Sequence, residues 1–167
     1  MEFGAWLTRL SIWAALGGYA ISVGTLLLFP GCGRRLARWV WTAGLVFFLM
    51  HVAAAFHYYY DWSHAVGLKE TARQTRELTG LDSSQGLYLN YLFTGVWLVD
   101  TGYWWGAGLN RYASRPLWIV GLVHGFFIFM IVNGAVVFVE GHARWLGSAL
   151  LAGVVGAWLM RRKERRG

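Results

Sequence analysis

Five long apolar blocks separated by short polar connections limit this chain more than any other feature. They cover residues 6–29, 37–60, 87–108, 117–139 and 145–160. A helix needs about 20 apolar residues to cross the hydrocarbon core of a bilayer. It also satisfies its own backbone hydrogen bonds, as any segment in lipid must. The blocks therefore predict an all-α polytopic integral membrane protein, a bundle of five transmembrane helices forming a single domain over residues 1–167. Composition agrees: 57% of residues are hydrophobic and 14% charged, against roughly 45–50% and about 25% in soluble domains. The first block lacks a basic start, since Glu2 precedes Arg9, and is longer than a signal-peptide core, so a retained helix is expected.

Turn chemistry separates the blocks. Pro30-Gly31-Cys32-Gly33 breaks the chain after the first, and Pro116 opens the fourth. The basic residues are distributed unevenly. Arg34, Arg35 and Arg38 lie in the first connection and Arg111 and Arg115 in the third, and the tail carries Arg161, Arg162, Lys163, Arg165 and Arg166. Lys and Arg in short connections favour the cytoplasmic side. That places the N-terminus outside and the C-terminus in the cytoplasm, in the inner (cytoplasmic) membrane of a bacterium. A net charge of +7 so placed reads as topology and anionic-lipid contact rather than nucleic-acid binding. The expected partners are the bilayer itself and, for a chain this small, further copies or the subunits of a larger membrane complex.

Residues 62–80 differ from the other connections. They contain no proline, are rich in helix formers and end at Gly80. A periplasmic amphipathic helix, or an extension of the second helix, is expected there. Tyr58 to Trp62 and Tyr103-Trp104-Trp105 cluster near block ends, as in an interfacial aromatic belt. Gly121 and Gly125 make a small-xxx-small pair suited to close helix packing.

Ionisable residues inside membrane helices are costly and mark sites or packing pairs. At about 1.5 Å per residue, His57 lies roughly 30 Å from the inner boundary. Asp61 and His64 follow at i+4 and i+7 on a continued helix, and Glu140 and His142 occupy the outer turn after the fourth block. Imidazole and carboxylate together are a ligand set for iron, copper or zinc. The leading expectation is therefore a periplasm-facing site at His57, Asp61, His64, Glu140 and His142. It would hold a metal ion, or a b-type haem between His57 and His142.

A deeper set reads as a packing pair or proton path. Asp100 and His124 both fall roughly 10 Å from the inner boundary, with Tyr19 near the same level. His51 and Asn133 form a looser pair, and Asn90 adds to a polar stripe on the third helix. Such a path would suit a proton-coupled carrier using Asp100 and His124. A small accessory or anchor subunit needs no chemistry at all. The single cysteine, Cys32, excludes an intramolecular disulfide and any Cys-based zinc or iron–sulfur site. No nucleophile constellation, phosphate loop or dinucleotide fingerprint is present, so no catalysed reaction can be read from the chain.

Overall fold

The computed structural model describes residues 2–134 together with Ala152, Gly153 and Gly156. Among the described residues the fold is all-α. Five helices follow in chain order: α1 (Glu2–Leu28), α2 (Arg34–Tyr59), α3 (His64–Thr79), α4 (Gln85–Ala113) and α5 (Leu117–Val132). These five are not the five expected crossings, because α3 lies between the second and third apolar blocks. The end of the fourth block, and the block at 145–160 apart from three helical residues, lie outside the described residues. α1 and α2 are each long and apolar enough to cross a membrane.

α1 and α2 form the most extensive packing, an antiparallel hairpin turned by residues 29–33. Glycine makes their close approach possible. A Cβ added to Gly18 would lie 2.9 Å from the Gly44 Cα, and one on Gly44 would lie 3.3 Å from the Ala15 carbonyl. Two polar ties cross this interface. Ser22 donates to the Ala37 carbonyl at 2.8 Å, and the His51 Nδ1–H donates to the Thr8 carbonyl at 2.9 Å.

α4 packs on α2 and α3, and α5 packs on α4. Their shared core is aromatic. Trp41, Trp97, Trp104 and Phe127 are almost fully buried, and Phe127 lies 4.9 Å from Trp97 and 5.0 Å from Trp41, centroid to centroid. The clustering near block ends suggested an interfacial belt for residues such as Trp104. Instead Trp104 faces inward and stacks on Tyr112, with centroids 3.9 Å apart and planes 2° from parallel. Such stacking adds about 0.5–1.5 kcal/mol beyond area burial.

Two breaks shape the bundle ends. Asp61 and Trp62 adopt positive φ (48° and 56°), turning the chain between α2 and α3. Ser63 then caps α3, and Gly80 closes it in the left-handed conformation. In α4, Gly108 has φ 81° and ψ 171°, a combination essentially confined to glycine. The sequence-based end of the third block coincides with this break. Beyond it, residues 109–115 fold back against α4 rather than continuing its axis.

Candidate functional site

Fold-back at Gly108 builds the most buried polar cluster among the described residues. Asp100 is 5% exposed, and both of its oxygens are occupied. The Tyr112 hydroxyl donates to Oδ2 at 2.7 Å, and the Arg115 Nη1 pairs with Oδ1. The Arg115 guanidinium lies over the Tyr112 ring, 3.5 Å from its centroid, and its Nε donates to the Tyr112 carbonyl. A buried carboxylate is tolerated only when paired and hydrogen-bonded, and Asp100 meets both conditions.

No hydrogen bond joins Asp100 to His124, although the two stand close enough to interact electrostatically. The depth arithmetic treated α4 as a straight rod, whereas the turn after Gly108 returns a full cation to Asp100. His124 bonds instead to Tyr19, Nδ1 to hydroxyl, at 3.4 Å. Matched depth brought those two together, though the sequence reading assigned His124 a different partner. The His51–Asn133 pair is likewise absent. His51 is committed to Thr8 on α1, and the Asn133 amide donates to the Phe129 carbonyl one turn back in its own helix. Asn90 is exposed, well away from the buried cluster.

Beside this cluster lies a cavity of about 650 Å³ between the ends of α1, α4 and α5. Its polar lining comes from Tyr19, Arg34, Tyr112, Arg115 and His124, and most of the remaining wall is apolar. Gly121 and Gly125 line it too, and a Cβ on either would meet nothing within 4 Å. Among the described residues no helix packs closely on these two glycines, and they leave space on that side of the cavity. Arg34 stands at the rim, its Nε donating to the Pro30 carbonyl at 2.6 Å and its Nη1 to the Asn110 amide oxygen at 3.2 Å. No sequence signal pointed to this cavity, because it depends on the break at Gly108.

The outer residues are arranged differently from the sequence reading. His57, Asp61 and His64 do not share one helical face, because α2 ends at Tyr59 and the turn sends the chain off in a new direction before α3. The His57 ring packs edge-on to Tyr58. The His64 Nδ1 hydrogen-bonds the Tyr91 hydroxyl at 2.9 Å, and its ring stacks on that tyrosine. Glu140 and His142 lie outside the described residues. Among the described residues, no group of three or more His, Cys, Asp or Glu side chains stands close enough to hold a metal ion.

No protein-family model matches the chain, and no curated protein or solved structure resembles it at a significant level.

Proposed function

We propose that this chain is a multi-pass protein of a bacterial cytoplasmic membrane, and that it binds a small amphipathic molecule in the cavity between α1, α4 and α5. Membrane residence draws support from how α1 and α2 bury their surface. Only 33% and 28% of their apolar stretches are covered by the rest of the protein, whereas the core helix of a soluble protein would be mostly covered. Leu10, Ile21, Leu36, Val46 and Met50 point outward, while Ser22, Asp100 and Thr101 point inward. Apolar residues facing out and polar residues facing in suit a lipid surround. The basic first and third connections favour a cytoplasmic side for Arg34 and Arg115 in this reading.

The observation that carries the binding role is the cavity itself. Its volume falls within the usual range of roughly 300–1,000 Å³ for small-molecule sites, and apolar walls with a few convergent polar groups are the usual lining. An ordinary packed interior holds few voids larger than a water molecule. A metal ion or b-type haem at the outer rim gains nothing from the described contacts, and neither does a proton path through Asp100, which is bonded on both oxygens. The outward apolar faces also suit helix partners in a homo-oligomer or larger membrane complex.

Native mass spectrometry of the protein released from mild detergent tests this reading. A discrete bound mass is expected in the wild type and should be lost in Gly121→Leu, whose side chain fills the cavity. A wild type carrying no bound molecule and taking up no added amphipath would overturn it.

A further inference from the structure

The geometry points to a quinone-class ligand: a neutral, planar, carbonyl-bearing ring with an apolar tail, its ring docked at Tyr19 and His124. This rests on the cavity being the binding site and names the chemistry it takes. The argument is one of which polar groups remain available. Asp100 and Arg115 satisfy and neutralise each other, so the interior offers no uncompensated charge to an ionic head. Arg34, the remaining cation of the lining, sits at the rim, already donating to Pro30 and Asn110. What is left inside is the Tyr19–His124 pair, whose 3.4 Å separation is long for a strong hydrogen bond.

The Trp104 ring lines the cavity edge at 1% exposure, and its covered indole N–H, like those of Trp41 and Trp97, has no hydrogen-bond partner among the described residues. The donor set nearest the cavity is therefore the Tyr19 phenol, held only in a long bond to His124, and such a donor favours a ligand that offers acceptors. Two opposed ring carbonyls have that character. The imidazole adds a group able to donate to a carbonyl or to accept from the hydroxyl that replaces it.

Wall shape supplies the rest. Tyr19, Trp104 and Tyr112 present aromatic surface to the cavity, which suits a flat ring. Gly121 and Gly125 leave the α5 side open to it, and Leu26, Leu27 and Ile128 give an apolar track for a tail.

Isothermal titration calorimetry in detergent micelles, with a short-tailed alkyl benzoquinone and an alkyl phosphate of the same chain length, tests the inference. The quinone should bind the wild type and lose about tenfold in affinity in Tyr19→Phe, the cost of one hydrogen bond. That variant keeps the ring that stacks on Phe127, so folding is preserved. His124→Gln should weaken binding similarly. If both variants bind the quinone as the wild type does, the assignment is wrong. It is also wrong if the alkyl phosphate binds more tightly and depends on Arg34, as shown by Arg34→Gln. Either result leaves the cavity as an amphipath site, whereas failure of both ligands to bind the wild type removes that reading too.

Discussion

Asp100 and Arg115 form a buried ion pair 15 residues apart in sequence, joined because α4 breaks at Gly108 and the chain folds back. Their side chains are 4% and 7% exposed. Removing one partner strands the other charge. Asp100→Asn should therefore destabilise the protein by about 3–5 kcal/mol, while Asp100→Leu combined with Arg115→Met recovers most of the loss. A double-mutant cycle on detergent unfolding measures this. An Asp100→Asn protein as stable as the wild type would show that the pair is not held in the native state.

The break itself is a separate prediction. Gly108 occupies backbone space that other residues enter only under strain, so Gly108→Ala should cost about 1–3 kcal/mol. Gly102 lies in the same helix, and a Cβ there would meet nothing within 4 Å. At that position alanine removes the glycine penalty and should stabilise by roughly 0.5–1 kcal/mol. Thermal melts of the two variants should move in opposite directions.

Packing of α1 on α2 gives a third contrast, again between two glycines. Gly18→Ala pushes a methyl group into the Gly44 backbone at 2.9 Å, and backbone yields less readily than a side chain. Overpacking of this kind costs about 1–3 kcal/mol. Gly17 has open space, so Gly17→Ala should be tolerated. Equal melting temperatures for the two variants would contradict the close approach.

On α3, pH is the useful variable. Arg73 bonds Glu70 and Glu77 at 2.5 and 2.6 Å. The Glu70 carboxyl is held below its ordinary value, chiefly by the hydrogen bond from Arg73. A carboxyl lowered in the folded state contributes stability above its unfolded pKa of about 4.3 and loses it as pH falls through the lower folded value. Glu70→Gln should therefore lower the melting temperature slightly at pH 7, and the difference should vanish in acid below the carboxylate range. The pair is largely exposed, so high salt should shrink the effect as well.

Apolar runs made α1, α2 and α4 legible in the sequence, and Gly80 marked the end of α3 through its left-handed cap. Tyr19 and His124 could be matched because both precede the Gly108 break or lie on a helix independent of it. Asp100 could not be given its partner, since an isolated glycine in a helical pattern ordinarily continues the helix. The same rod-like assumption carried His57, Asp61 and His64 onto one face, where two residues of positive φ separate them. Trp104 was misplaced for another reason. Proximity to a block end does not distinguish an interfacial ring from one that the fold-back buries.

Membrane placement with the cavity mouth on the inside is tested most directly through Cys32, the single cysteine of the chain. It is exposed in the α1–α2 turn, two residues from Arg34 at the cavity rim. A membrane-impermeant maleimide should label it in inverted membrane vesicles and leave it unmodified in intact cells. Labelling in intact cells would put the cavity mouth on the outer side and contradict the orientation.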